Sequence, residues 1–350
     1  MTRKSARRVA AIVCGVALVA PLAACASGGA SDGTVEISFL LENQEPAYGT
    51  AEAIVAAFEE ANPDITVTLQ TRPGGTEGDN LIKTKLSTGE MEDVFVYNAG
   101  SLFQALNPDQ TLTPLDDQAW VADLDDTMKT VVSTDSGIYG APFGASQAGA
   151  VLYNIPLYEE LGLSVPTSWD EFVANNEKIA AAGKTPVIQT YGDTWTSQLF
   201  VLGDFGNVSA QDADWAADYT AGERKYADQP ALQSFLNQQQ GYADGWWNKD
   251  FASATLEDGL RMVATGEGAH YPIVTGTFAT VMQNYPDNAN DVGVFPLPAQ
   301  NADDTRLTVW LPGAPYIPKS TTGGKLAGGE KLLAFINSTE GCQIQNDNSN

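Results

Sequence analysis

Residues suited to binding an uncharged, hydroxyl-rich ligand recur along this chain. Aromatic rings can stack on the C–H faces of a pyranose, and carboxylate and amide groups can exchange hydrogen bonds with its hydroxyls. Several of the polar residues directly follow predicted strands, where open α/β sheets meet their ligands. The candidate binding residues are Glu42, Asn43, Gln44, Asn98, Gln147, Trp195, Trp246, Trp247, Phe278 and Trp310. Residues of these types could together bind a carbohydrate.

Each candidate also has a structural explanation. A tryptophan packs in a protein core as readily as it lines a site, so core packing stays open for each tryptophan. Asn43 and Gln44 could instead cap the helix that follows them. The sequence alone leaves these alternatives open, because tertiary contacts decide between them.

The chain also has enough carboxylates for hydrolytic chemistry. It contains 44 acidic residues, so pairs such as Asp116 with Asp117 and Asp125 with Asp126 arise by chance, although glycoside hydrolysis needs only two carboxylates. The single histidine, His270, cannot supply a zinc site, and a structural role is the better interpretation. We therefore predict a binding protein without metal or cofactor, with a secreted glycoside hydrolase as the alternative.

The charge of the chain excludes two classes of partner. The net charge is −26, and removing the four basic residues of the first 24 leaves 14 basic against 44 acidic side chains. Such a surface repels nucleic acid phosphates and anionic lipid headgroups. We expect no nucleic acid partner and no membrane adsorption by charge.

The amino terminus has the pattern of an export signal. Basic residues at 3–8 precede an apolar run at 9–24, which is too short to span a membrane comfortably. The run ends in LAAC at residues 22–25, which resembles the bacterial lipoprotein box. We predict a signal peptide at 1–24, a lipid such as palmitate on Cys25 and a flexible tether at 25–34. An ordinary secretory signal with an unmodified cysteine is the alternative.

The elements after the tether indicate an α/β fold. A strand at 35–41, an amphipathic helix at 46–61 and a second strand at 65–70 form a βαβ unit, which predicts a parallel sheet. A third strand at 93–97 ends before Asn98. Because 350 residues exceed what one core usually spans, we expect two domains.

The stretch 144–154 predicts a strand that packs closely between neighbouring elements, leaving little room for side chains. Small residues dominate it, and Gln147 is its longest hydrogen-bonding side chain before the apolar end. A helix should begin after Ser168, because Glu171 three residues later can complete a capping box.

Residues 153–172, reading YNIPLYEELGLSVPTSWDEF, resemble the extracellular solute-binding proteins that serve sugar importers of the ATP-binding-cassette type. Looser matches are residues 193–207 and 275–278, where Phe278 occupies an aromatic position that is usually tryptophan. The matching positions in the most specific stretch are Tyr153, Asn154, Leu161, Gly162, Leu163, Pro166, Thr167, Trp169, Glu171 and Phe172.

This resemblance implies a two-lobed, periplasmic-binding-protein-like fold with a hinge and a ligand cleft between the lobes. It implies a first lobe at 35–143 plus 294–341, a second lobe at 146–292 and a polar tail at 342–350, with residues 292–297 returning to the first lobe. Family members usually continue through further helices that complete the second lobe. We therefore expect this lobe to lack its final helices, either by truncation or by reduction.

The resemblance also implies a function. We expect a monomeric, lipid-anchored receptor at the outer face of the bacterial cytoplasmic membrane. It would bind a sugar or oligosaccharide and deliver it to the permease of an ATP-binding-cassette importer. The same fold binding a non-sugar solute is a further alternative.

Overall fold

The computed structural model describes residues 34–348. The predicted signal peptide, the lipid on Cys25 and the tether up to residue 33 lie outside the described residues. No helix within the described part of the chain is long and apolar enough to cross a membrane.

The strands are short and fall into separate sheets. They are β1 (Val35–Glu42), β2 (Ile65–Arg72), β3 (Val94–Tyr97), β4 (Ser133–Thr134), β5 (Gly137–Ile138), β6 (Gln147–Asn154), β7 (Thr185–Val187), β8 (Gly268–Val274), β9 (Val292–Phe295), β10 (Thr308–Trp310) and β11 (Ala314–Tyr316).

Helices of four to fifteen residues connect the strands. They are α1 (Ala47–Ala61), α2 (Gly75–Thr88), α3 (Ser101–Gln104), α4 (Pro108–Thr111), α5 (Asp126–Val131), α6 (Ile155–Leu161), α7 (Trp169–Ala181), α8 (Leu199–Gly203), α9 (Phe205–Gln211), α10 (Trp215–Thr220), α11 (Leu232–Ala243), α12 (Leu256–Thr265), α13 (Phe278–Asn284), α14 (Gly323–Ile336) and α15 (Thr339–Asn348).

The first sheet has the order β11-β3-β1-β2. Strands β1, β2 and β3 are parallel, and β11 is antiparallel to β3. The predicted βαβ unit is confirmed, because α1 buries Ile54 and Phe58 in the core against β1 and β2. We refer to this sheet with α1, α2 and α14 as the first lobe.

The second sheet has the order β10-β6-β8-β7, with β9 also paired to β6. Strand β6 is antiparallel to β8 along one edge and to β9 and β10 along the other. Helices α7, α8 and α12 pack against this sheet and α13 packs against α12, and we refer to the whole as the second lobe.

The chain returns to the first lobe later than the sequence predicts. Residues 292–297 were expected to make this return, but β9 pairs with β6 from Val151↔Phe295 to Asn154↔Val292. The physical reason is burial, since Val292 and Phe295 both pack in cores of the second lobe. The crossing follows β10, at residues 311–313, and lies beside the first crossing through the bridge Phe143↔Gly313.

The predicted polar tail is also corrected, as far as residue 348. Residues from Thr339 to Asn348 form helix α15, which packs against α1. Ile344, the large aliphatic residue of this helix, is partly buried and packs against the core of the first lobe. This contact explains why a mostly polar segment folds back onto the lobe as a helix.

The start of α7 follows the prediction in part. The Ser168 hydroxyl accepts a hydrogen bond from the Glu171 backbone N–H at 3.4 Å. The Glu171 carboxylate, however, accepts from the backbone N–H of Thr167 at 2.7 Å, rather than from Ser168. This bond lowers the pKa of Glu171 below its usual value.

Candidate functional site

Three aromatic side chains from separate elements pack against one core cluster of the second lobe. Trp195 lies in a short 3₁₀ turn, Phe278 begins α13 and Trp310 ends β10. All are partly buried and pack against the same core cluster, which includes Leu199 and Ile273. Each ring therefore contacts the core and keeps part of its surface exposed.

Gln147 lies between two of these aromatic elements. It pairs in register with Trp310 across β6 and β10, and its side chain is exposed. The Gln147 amide also covers Gly276, where a Cβ atom would stand 2.6 Å from the amide oxygen. The geometry thus brings Gln147, Trp310 and the start of α13 together.

The tight passage predicted for β6 is confirmed at Gly149. A Cβ atom there would meet the ring of Trp310 and would stand 2.7 Å from the Cα atom of Gly203 in α8. Only glycine lets β6 pass between the Trp310 ring and α8 without moving either.

The first lobe contributes an ion pair at the carboxyl ends of β1 and β2. Parallel pairing places Glu42 opposite Arg72, and Arg72 Nη2 lies 3.0 Å from Glu42 Oε1. The Arg72 guanidinium also donates to the carbonyl oxygens of Pro73 at 3.0 Å and Val96 at 3.4 Å. Arg72 is 3% exposed, whereas the Glu42 side chain is 33% exposed. The carboxylate is thus fixed in place but open to a ligand.

Sequence reasoning missed Arg72. The signal that could have found it is the register of the parallel pair, which makes Glu42 and Arg72 direct neighbours. The register of β1 and β2 depends on the turns at the two ends of α1, which connects the strands. The residue pattern of each strand alone does not reveal it.

The glycine-rich loop after β2 brings the two lobes into contact. At Gly74, a Cβ atom would stand 3.4 Å from Gln44 Nε2 and 3.5 Å from Glu42 Oε2. At Gly75, where φ is +63°, it would stand 4.0 Å from Trp195 Cδ1. The loop therefore lies beside polar side chains of the first lobe and beside an aromatic ring of the second.

Asn43 and Asn98 lie at the same end of the first sheet. The Asn43 side chain is exposed, and its backbone N–H donates to the carbonyl oxygen of Arg72 at 3.1 Å. Asn98 follows β3 and is also exposed, and its carbonyl oxygen accepts from the Tyr316 hydroxyl at 3.2 Å. Neither Asn43 nor Gln44 caps α1, so the capping alternative is wrong.

Two of the predicted site tryptophans do not join this group. Trp246 is 2% exposed and packs against Trp169 and Phe172, so its assignment to the site is wrong and core packing is its role. Trp247 packs against Tyr191 and Phe251 in a separate aromatic cluster of the second lobe. Both tryptophans follow α11 and pack against aromatic neighbours. The sequence pattern did not distinguish this packing from a position in a binding site.

Tyr97 is buried beside Arg72 in the first lobe. Burial first, and then the Asp79 carboxylate, raise the pKa of Tyr97 well above its usual value, so the phenol stays protonated. The Arg72 guanidinium lies 5.8 Å from the centre of the Tyr97 ring. The Tyr97 ring is thus a further neighbour of the buried guanidinium.

One acid of each pair considered for hydrolysis, and the single histidine, make structural contacts. Asp125 accepts from the Thr127 backbone N–H at 2.8 Å and caps α5, and Asp116 accepts from the Ile138 backbone N–H at 3.2 Å. His270 is fully buried between the Tyr158 hydroxyl, 2.6 Å from its Nε2, and the side-chain amide oxygen of Asn176, 2.9 Å from its Nδ1. Within residues 34–348, no group of three or more His, Cys, Asp or Glu residues could hold a metal ion.

The family model for bacterial extracellular solute-binding proteins matches residues 42–341. The multiple sugar-binding protein of Streptococcus mutans is 25% identical over 287 residues, which are 80% of this chain and 66% of the relative. The melibiose/raffinose/stachyose-binding protein MelE of Bacillus subtilis is 21% identical, over 76% of this chain and 61% of MelE. The chain thus spans less than two thirds of these curated relatives' length.

Solved structures share the fold. A chitin oligosaccharide binding protein superposes with a TM-score of 0.77 at 20% identity, covering 90% of this chain and 79% of the other. The solute-binding protein RafE in complex with raffinose gives 0.75 at 22% identity, with coverages of 90% and 81%. At these identities the likeness establishes the fold alone, and the predicted two-lobed α/β architecture is confirmed.

Proposed function

Because the chain belongs to the family of bacterial extracellular solute-binding proteins, we propose that it is a receptor which binds a carbohydrate between its two lobes. The observation that carries the proposal is the position of the Gly74–Gly75 loop. A Cβ atom at Gly74 would stand within 3.5 Å of Gln44 and Glu42, and one at Gly75 would stand 4.0 Å from Trp195, so polar groups of one lobe and an aromatic ring of the other lie beside the same loop. The relatives named for multiple sugars and for melibiose, raffinose and stachyose support a carbohydrate as the ligand.

Binding would use both kinds of surface at once. A pyranose ring stacks on Trp195, Phe278 or Trp310, while Glu42 and Gln147 take its hydroxyls. Asn43, Gln44 and Asn98, at the same sheet end, are further polar partners of the ligand.

Ligand release and capture would depend on a hinge between the lobes. The two crossings, at residues 140–146 and 311–313, lie side by side and are short enough to act as that hinge. Contacts from both lobes exist only in the closed form, so the ligand selects it. A permease of the ATP-binding-cassette type then recognises the closed, loaded receptor and imports the sugar unaltered.

The amino terminus completes the proposal. A lipid on Cys25 would hold a monomeric receptor at the outer face of the cytoplasmic membrane. Replacing Cys25 with Ser should then release the protein into the medium. Retention of the Cys25→Ser protein by the membrane would refute the lipid anchor without touching the proposed ligand.

A thermal-shift screen against neutral mono- and oligosaccharides tests the ligand class. A ligand that binds only the folded state raises the midpoint of unfolding, by an amount that grows with its concentration. The bound sugar is then recovered and chromatographed. We expect it unchanged, whereas shortened products would favour the glycoside hydrolase, and a response to non-sugar solutes only would favour the other alternative.

A further inference from the structure

A cavity of about 340 Å³ lies between the two lobes. Glu45 and Pro46, which join β1 to α1, line it from the first lobe. Helix α13 lines it from the second lobe with Ala279, Thr280, Met282 and Gln283. Its size is at the lower end of the range for ligand pockets, about 300–1,000 Å³.

The cavity is continuous in sequence with the proposed site on both lobes. Gln44, whose amide lies against the Gly74 loop, directly precedes Glu45. Phe278, one of the aromatic rings on the second lobe, directly precedes Ala279. The cavity lining therefore begins one residue after a proposed binding residue on each lobe.

The cavity lining has a neutral to acidic character. Pro46, Ala279 and Met282 provide apolar surface, and Thr280 and Gln283 provide hydrogen-bonding groups. None of the lining residues is lysine or arginine, so no cation is present to pair with an anionic substituent.

Its one charged group is a carboxylate with a fixed position. Glu45 Oε2 accepts a hydrogen bond from the Gly49 backbone N–H at 3.1 Å, which holds Glu45 at the first turn of α1. Carboxylates accept hydrogen bonds from sugar hydroxyls but repel other anions.

We propose that this cavity is a second sugar subsite, which takes one neutral pyranose unit of an oligosaccharide and discriminates against acidic units. The inference rests on the proposed function and deepens it, because it predicts a ligand of at least two sugar units. The apolar face of the second unit lies on Met282 and Pro46, and its hydroxyls bond Glu45, Thr280 or Gln283.

Chain-length preference tests the subsite through Met282→Asp. Calorimetric titration with glucose-type and galactose-type monosaccharides and with their neutral di- and trisaccharides gives the dissociation constants. We expect the variant to weaken oligosaccharide binding by about tenfold and to leave monosaccharide binding within about twofold of the wild type. Val165→Asp is the matched control, because Val165 is 43% exposed against 38% for Met282 and does not line the cavity.

Acidic-unit rejection tests the role of Glu45. The probes are a uronic-acid disaccharide and its neutral counterpart, in which the carboxylate is replaced by a hydroxymethyl group. Wild type should bind the acidic probe at least about fivefold more weakly, and Glu45→Gln should reduce that ratio at low salt. Gln keeps the shape of Glu45 and can still accept from Gly49, so a loss of fold is not the cause of the change.

The outcomes separate the subsite from the proposed function. If monosaccharides and oligosaccharides bind equally well, or if Met282→Asp weakens both alike, the second subsite is refuted while carbohydrate binding stands. Equal affinity of the wild type for the acidic and neutral probes refutes the discrimination. If no carbohydrate binds the wild type at all, the proposed function fails and the subsite with it.

Discussion

Glu42 and Arg72 differ in burial although they form one ion pair. Arg72 is almost wholly buried, while the Glu42 side chain keeps a third of its surface exposed. Removing one partner of a pair leaves the other charge uncompensated, and the cost is largest for the charge that water cannot reach. The pair therefore predicts an asymmetry between its two variants.

Glu42→Gln should destabilise the fold more than Arg72→Met. The first change leaves a buried guanidinium without a carboxylate, which costs about 3–5 kcal/mol. The second removes the buried charge and leaves Glu42 free to hydrate, so we expect a loss of about 1–2 kcal/mol. Free energies of unfolding from urea titrations measure both, and the reverse order would contradict the assigned roles.

His270 connects stability to pH. Burial lowers its pKa to about 3 from the ordinary value of 6.5, so the folded protein keeps it neutral while the unfolded chain protonates it below pH 6.5. Its stabilising contribution is therefore complete above pH 6.5 and is lost as the pH falls toward 3.

His270→Gln should flatten the acid limb of the stability curve. From about pH 6.5 to about pH 4.5, the wild type should lose about 2 kcal/mol more than the variant. Urea titrations of both proteins at these pH values give the difference, in which the other titrating groups cancel. A variant that loses stability as steeply as the wild type would show that His270 titrates normally.

Among the elements, β6 is the one that positions most of the second lobe's site. It holds Gln147, pairs with β10 at Trp310 and passes α8 at Gly149. The two glycines at this passage differ in what a methyl group would meet. At Gly149 it would meet Gly203 Cα at 2.7 Å, whereas at Gly203 its nearest neighbour would be at 3.6 Å.

Gly149→Ala should move Trp310 and weaken ligand binding. Overpacking at this position should cost about 1–3 kcal/mol of stability and weaken carbohydrate binding by about tenfold. Gly203→Ala is the control on the facing element, where helix propensity favours alanine by up to about 1 kcal/mol. Melting temperatures and calorimetric titrations compare the variants, and an unaffected Gly149→Ala protein would contradict the tight passage.

Residue patterns in the sequence predicted individual helices and strands better than they predicted how these elements pack together. The β1–α1–β2 unit and the small-residue strand follow from periodicity and side-chain size, which act within a few residues. The return of β9 to β6, the fold-back of α15 and the pairing of Glu42 with Arg72 depend on contacts between distant segments. For the same reason Trp195 and Trp246 look alike in sequence, although one faces the other lobe and one is in the core.

For the whole molecule, the account requires the lobes to move. Both crossings run side by side between the sheets, and the lobes approach each other at Gly75, where a Cβ atom would stand 4.0 Å from Trp195. Without ligand the acidic surface favours separation of the lobes, because like charges repel.

Small-angle X-ray scattering should detect the closure. We expect a saturating oligosaccharide to reduce the radius of gyration of the wild type. Trp195→Ala, at the same sugar concentration, should stay closer to the unliganded value because it loses a stacking contact between the lobes. An identical, ligand-independent radius for both proteins would contradict a hinge.

The most direct test of the central claim is a crystal structure with the tightest-binding neutral oligosaccharide. The account predicts the sugar between the lobes, with one ring on Trp195 or Phe278, a hydroxyl on Glu42 or Gln147, and the glycosidic bond intact. Density for the sugar outside the space between the lobes, or for a cleaved product within it, would contradict the account.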